Sequence, residues 1–269
     1  MIIELLDGTR TDIAEYGLKR LFHRIPSADI KHTSSTVEGK SVIAESNLSN
    51  RTIETELLYI ARDIYDYDLL RDELNALFMR TEPYYVIFKR EMHKRWLVKV
   101  AEQYAIPPHP HMQSFTLNFL TMERYAESVG TSLELVSRDF DSGLWGWGSG
   151  VNVDEPYQYT FNTNSFAVHN IGNAEVDPRE SFLEIEVKGV FSNGFTLTNE
   201  TTGDVYQFNE ALTASDTLLI KGIRTLKNGV SKFGATNKML IRLAPGANQI
   251  SITGGTVNSV VFNFRFLYK

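Results

Sequence analysis

The sequence predicts a mainly β protein in two parts, an α+β domain with one helix followed by an all-β sandwich or jelly roll. Three observations carry that prediction. The chain has 269 residues, which is about 1.8 times a typical domain of ~150, so two domains are expected. Glycine and charge are unevenly spread: residues 1–125 hold 34 of the 60 charged residues but three of the 18 glycines. The glycine-rich remainder, with its many Asn and Thr, has the composition of short strands joined by tight turns. The shift falls near Arg124–Gly150. It assigns 1–130 to a first domain, 131–155 to a linker and 156–269 to a second domain.

In the first part, Ile53, Thr55, Leu57, Tyr59 and Ala61 alternate with Thr52, Glu54 and Glu56, a strand with one buried face. Asp66 and Asp68 then cap a helix over about 68–80, where Leu70, Leu74, Leu77 and Phe78 recur at helical spacing and Pro83 lies beyond the end. Tyr84–Arg90 and Arg95–Tyr104, joined by Glu91-Met-His-Lys94, read as a hairpin, and Ser114–Met122 as a further strand.

The second part offers eight strands: Tyr157–Phe161, Phe182–Val187, Gly194–Thr198, Val205–Phe208, Thr217–Ile220, Met239–Leu243, Gln249–Thr253 and Ser259–Phe266. Turn signals such as Asn228-Gly229 and Pro245-Gly-Ala-Asn248 separate them. Strands at that spacing fit a sandwich.

Composition excludes several functions. Cysteine is absent, which removes disulfides, thiolate metal sites and thiol catalysis. The net charge of −6 is a poor match to a protein that holds nucleic acid, and no apolar run is long enough to insert into a membrane. The short acidic N-terminus does not read as a signal peptide.

No catalytic, metal or cofactor site is expected. His109-Pro-His111 has metal-like spacing but sits in a proline-rich loop without an acidic partner. Asp63, Asp66, Asp68, Asp72 and Glu73 surround a helix start, where carboxylates cap amides. Gly146-Trp-Gly148-Ser-Gly150 lacks the Lys-Ser/Thr of a phosphate loop. Trp145, Trp147, Tyr157 and Tyr159 are candidates for stacking on sugar rings, set against packing at a domain junction. The basic stretch Lys89-Arg90…Lys94-Arg95 reads as a solvated hairpin tip or a contact for an acidic partner.

Taken in order, the segments resemble the distal tail proteins of siphophages, phages with long non-contractile tails. The matching stretches are Val37-Glu-Gly39-Lys40 followed by Arg51-Thr-Ile53, Arg71-Asp-Glu-Leu74…Leu77-Phe78, Tyr84–Phe88, Arg95-Trp96-Leu-Val98 and Phe115–Leu120. Arg124-Tyr-Ala-Glu-Ser128 departs from the family by carrying Arg124 in place of a proline. In the second part the resemblance rests on Phe166-Ala-Val168-His-Asn170-Ile-Gly172-Asn173, Asn199-Glu-Thr-Thr-Gly203-Asp204, Leu243-Ala-Pro-Gly246-Ala-Asn248 and Phe264-Arg265-Phe-Leu-Tyr268.

The resemblance implies a non-catalytic virion protein of the tail tip, or baseplate, assembled in the host cytoplasm. Its N-terminal domain would be tail-tube-like and close into a homo-hexameric ring, and its C-terminal domain would be a galectin-like or carbohydrate-module-like sandwich. The implied partners are the tail-tube protein, a tail-associated lysin or fibre hub protein, receptor-binding proteins, and phage DNA in transit only. A ring of six would carry a charge of about −36, which repels passing phosphates. Arg51 and Ile53, with Tyr84 and Tyr85, lie on strands expected to form sheet edges and pair across subunits. The alternative is a carbohydrate-binding adhesin of host cell-wall glycan. A glycan-cleaving enzyme is disfavoured because no acid–base pair stands out.

Overall fold

The computed structural model describes residues 1–28, 30–37, 40–109, 111–136, 143–146, 148–152 and 154–269. The chain forms two compact units, one of Met1–Glu91, Arg95–Ala126 and Lys269, the other of Met92–Lys94 and Glu127–Tyr268. It is mainly β with one long helix, as the sequence predicts.

The strands of the first unit are β1 (Ile2–Glu4), β2 (Arg10–Asp12), β3 (Leu18–Arg24), β4 (Ile30–Val37), β5 (Lys40–Leu48), β6 (Thr52–Ile60), β7 (Tyr84–Ile87), β8 (Lys94–Val100) and β9 (Met112–Thr121). Helix α1 (Ile64–Phe78) joins β6 to β7. Seven strands of the first unit follow one another in its sheet in the order β2-β1-β7-β8-β9-β6-β3. The sheet curls on itself, because His23 of β3 stacks on Phe88, just past β7, with ring centroids 3.9 Å apart. Among the described residues β4 and β5 pair only with each other, Ile30 opposite Leu48 through Val37 opposite Lys40.

The alternation read in β6 is real: Ile53, Thr55, Leu57 and Tyr59 are buried and Glu54 and Glu56 half-buried. α1 covers this core with Tyr67, Leu74, Leu77 and Phe78, each worth roughly 1.5–3 kcal/mol of burial. Phe78 meets Phe119 at 6.2 Å, and the Tyr67 hydroxyl donates to the Ile106 carbonyl at 2.7 Å.

The helix starts four residues earlier than the sequence predicts. Asp63 is the cap, its Oδ1 accepting from the amides of Tyr65 and Asp66 at 2.9 Å each. Asp66 reaches back to the Arg62 amide at 2.8 Å, which closes the first turn reciprocally. Ile64 and Tyr65 are exposed, so that turn carries no apolar periodicity to be read.

The second unit holds β10 (Ala126–Ser128), the short helix α2 (Ser132–Leu135), β11 (Thr160–Phe161), β12 (Ser165–Asn170), β13 (Leu183–Val190), β14 (Phe195–Asn199), β15 (Asp204–Phe208), β16 (Leu218–Lys221), β17 (Arg224–Lys227), β18 (Val230–Ser231), β19 (Gly246–Thr253), β20 (Thr256–Phe264) and β21 (Leu267–Tyr268). Two antiparallel sheets result, β11-β20-β13-β16-β17-β18 and β12-β19-β14-β15. They face each other as a sandwich. Phe161 of β11 stacks on Phe166 of β12 at 4.1 Å, and the hydroxyls of Tyr206 (β15) and Thr225 (β17) are hydrogen-bonded at 2.9 Å. Gly194 makes the turn into β14 at φ 86°, where a Cβ would lie 1.9 Å from the Phe208 carbonyl oxygen, so only glycine fits.

Met239–Leu243, expected as a strand, makes only one bridge, Leu243 to Val176. Side chains hold it instead. Asn237 donates to the Val205 carbonyl and accepts from the Gln207 and Met239 amides. Three buried asparagines secure the neighbouring loops. Asn248 donates to the carbonyls of Val168, Ala244 and Gly246, Asn199 to Arg242 and to the Asn248 side chain, and Asn170 to Ala174 and Leu243.

The segment 131–155, expected as a linker, packs on the second unit where it is described. The Ser132 hydroxyl donates to the Phe262 carbonyl and accepts from the Phe264 amide, and the Tyr268 hydroxyl donates to the Ser149 carbonyl at 2.8 Å.

Candidate functional site

The surfaces of the first unit that can receive a partner are set by which strands end the sheet. β6 is bonded on both sides, to β3 and to β9, and β7 to β1 and to β8. Neither is an edge, so the expectation that Arg51, Ile53, Tyr84 and Tyr85 lie on edge strands is corrected. The true ends are β2 and β3. The N-terminal strand and β3, whose apolar alternation is weak, take the flanks that appeared free in the sequence.

Those four residues work inside the unit. Arg51 is buried; its two terminal nitrogens donate to the carbonyls of Pro26 (3.3 Å) and Arg124 (3.0 Å), and burial lowers its pKa. Ile53 is in the core. Tyr84 is fully buried, its hydroxyl donating to the Phe78 carbonyl at 3.2 Å and burial holding its pKa well above the usual value. Tyr85 lies under the Arg95 guanidinium, 3.9 Å from its ring centroid.

The basic stretch does not form one patch. Lys89 pairs with Asp12 at 2.5 Å and Arg90 is exposed. Lys94 stands 5.0 Å over the Tyr268 ring. Arg95 is nearly buried and pairs with Glu4, which also takes Arg10 at 2.5 Å.

The β3 end of the sheet differs. It is an open edge, and at its bulge between Arg20 and Phe22 the apolar Leu21 and Phe22 are 44% and 41% exposed. Lys19 and Arg24 are exposed beside them. Arg20 approaches the His23 ring nitrogen at 2.6 Å, and burial, then Arg20, lowers the His23 pKa. The alternating edge is absent from the sequence because a bulge breaks the period-two pattern.

The sugar-stacking candidates are inside the second unit. Trp145, Tyr157 and Tyr159 are 3%, 7% and 0% exposed. Trp145 meets Phe266 edge-on at 5.7 Å, Tyr157 meets His169 at 5.9 Å, and Tyr159 meets Phe264 and donates to the His169 carbonyl. None of the three presents a ring face to solvent. Trp147 lies outside the described residues, as do Glu38 and Gly39. His109 turns its Nδ1 to the amides of His111 and Met112 at 3.3 and 3.2 Å, an arrangement that closes its own loop. Of the acidic cluster, Asp63 and Asp66 cap α1, and Asp68 and Asp72 both pair with Arg71.

Comparison with known proteins bears on these surfaces. Residues 11–121 match the model of the phage tail protein RIFT-related domain, covering most of the first unit's sheet and α1. No curated protein sequence matches the chain. Among solved structures, the Dit protein of phage SPP1, described as a paradigm of the hub adsorption apparatus of phages infecting Gram-positive bacteria, superposes with a TM-score of 0.67 at 18% identity over 99% of each chain. The phage p2 baseplate in its activated conformation matches at a TM-score of 0.45 and 13% identity, over 98% of this chain and 96% of that one. The first unit thus matches the phage tail RIFT-related domain family from residue 11 to residue 121, and the chain as a whole has the fold of the SPP1 Dit hub protein.

Proposed function

We propose that this chain is a structural protein of a phage tail tip, a distal tail hub without catalytic activity. The observation that supports it best is the extent of the fold match, which takes in 99% of both chains and therefore both units. A shared single domain would leave the second unit unexplained.

In this reading the first unit closes into a homo-hexameric ring between the tail tube and the lysin or fibre hub, and the second serves as an arm for receptor-binding proteins. The protein resides in the virion after assembly in the host cytoplasm. Two features of the first unit support ring formation, set against one general requirement. The β4–β5 ribbon has no third strand among the described residues, β3 ends the sheet with apolar side chains exposed, and a rotational ring needs two different contact patches per subunit. The net charge of −6 per copy suits a channel from which DNA must leave.

The test is light scattering with negative-stain imaging of the purified chain, alone and with its tube partner. Rings of six are expected. A protein that stays monomeric at tens of micromolar in both conditions would overturn the reading.

A further inference from the structure

We infer that the outer face of α1 docks a second copy of this chain, and that the part of that copy seated on it is the β3 edge. The inference rests on the ring reading above and names the two surfaces that meet.

α1 turns Tyr67, Leu74, Leu77 and Phe78 inward. Its opposite face should then be polar if it faces only water. It is not: Tyr65, Leu69 and Met79 are 78%, 67% and 68% exposed. Positions 65, 69, 72 and 76, spaced by four, three and four, fall in one stripe along the helix, which Met79 continues at the C-cap; Asp72 and exposed Ala76 lie between the apolar residues and Asp68 and Glu73 beside them. Arg71 occupies Asp68 and Asp72 at 2.8 and 3.1 Å. Glu73 has no ion partner among the described residues, so the solvent side of α1 carries three carboxylates and one guanidinium. The stripe is largely apolar, with Asp72 inside it and Asp68 and Glu73 at its margin.

The β3 edge is its complement. Leu21 and Phe22 are exposed at the bulge, and their flanks are basic. Lys19, Arg20 and Arg90 have no carboxylate partner among the described residues, and Arg24 holds Glu54 only at 3.5 Å with both side chains open to solvent. Each patch alone is an apolar surface in water with an excess of one charge. Brought together, the apolar side chains leave water and the charges are opposite. Both patches lie on the same unit and differ from each other, so the contact is head-to-tail, the geometry that propagates around a ring. A second copy therefore supplies the complementary partner without any other protein.

The chain contains no cysteine, so thiols introduced by Leu69→Cys and Leu21→Cys are unique reporters. When the two full-length variants are mixed and mildly oxidised, a disulfide-linked dimer is expected in the mixture and in neither protein alone. Linkage of either variant to itself, or none in the mixture, would overturn the inference. A charge reversal adds an independent arm. D72K with E73K, or K19E with R90E, should weaken self-association by about tenfold or more, and the combination of all four should restore it. All four side chains are exposed, so melting temperatures should stay near wild type. If every variant assembles like the wild type, this contact falls and the ring reading stands. If the wild type itself never assembles, both fall.

Discussion

The guanidinium of Arg51 lies over the indole of Trp96, 5.1 Å from the ring centroid. The same side chain donates to the carbonyls of Pro26 and Arg124, and the Arg51 backbone amide donates to the Thr121 hydroxyl at 3.0 Å. One residue thus ties the stretch after β3, the start of β6 and the segment after β9. Trp96 supplies the polarisable face that a buried cation needs.

Arg51→Ala is expected to destabilise the protein by about 2–4 kcal/mol, because two carbonyls and the Trp96 face lose their partner together. Arg51→Lys should recover only part of this, since an ammonium on a single stem does not reproduce the planar fork that reaches both carbonyls. Urea denaturation of the three proteins checks it. Equal stability of Lys and Arg at this position would show that charge alone, without the fork, does the work.

Thr55 carries a buried hydroxyl with no hydrogen-bond partner among the described residues, on β6 between Ile53 and Leu57 and opposite Leu117. Val has the same shape and no polar atom to desolvate. Thr55→Val should therefore stabilise the fold by about 1 kcal/mol. Thr55→Ala should not, because it removes the methyl that fills the site as well. A rise in the urea midpoint for Val and none for Ala is the expected pair of results.

The legible parts of the fold were those whose burial follows a simple period. β6 and β9 alternate strictly, and the second half of α1 has Leu74, Leu77 and Phe78 on one face. β3, read as Leu-Lys-Arg-Leu-Phe-His-Arg, was not legible, since an edge strand with a bulge buries too little to alternate. The β4–β5 ribbon was hidden for a related reason. Among the described residues it joins no larger sheet, so His-Thr-Ser-Ser-Thr needs no apolar face. Met239–Leu243 misled in the opposite direction, being apolar enough for a strand but pinned by Asn237 and its neighbours outside the ladder. The surfaces proposed for docking were unreadable because exposure of Leu21, Phe22, Tyr65 and Leu69 depends on which faces the rest of the chain covers.

Asp204 gives the second unit a pH-dependent tie. Burial opposes its ionisation, but Arg242, through side chain and backbone amide, and the Thr202 hydroxyl hold the carboxyl below its usual value. A carboxyl depressed in the folded state contributes stability that is present above its unfolded pKa of about 3.9 and is lost as the pH falls through the lower folded value. Asp204→Asn should cost about 1–2 kcal/mol at pH 7, discounted for the partial exposure of Arg242. The gap between variant and wild type should narrow steadily below about pH 4. A gap that is constant from pH 7 to pH 2.5 would mean the tie is not electrostatic.

Trp145 separates the hub from the sugar-binding reading. Its indole fits against Gly130, where an added Cβ would lie 2.7 Å from the ring, and meets Phe266 edge-on. Its Nε1–H has no acceptor among the described residues. Packing of this kind predicts that Trp145→Ala costs about 3–5 kcal/mol, whereas Trp145→Phe, which keeps an aromatic ring and removes the unsatisfied donor, costs much less. Neither change should alter retention on host cell-wall glycan, because the ring has no face in water. A glycan array run with both variants at a temperature where each is folded decides the matter. Loss of glycan binding in a folded Trp145→Phe would require the indole to reach the ligand and would favour the adhesin. Unchanged glycan behaviour, together with the expected order of stabilities, leaves Trp145 as the side chain that seats residues 143–146 against the C-terminal strands.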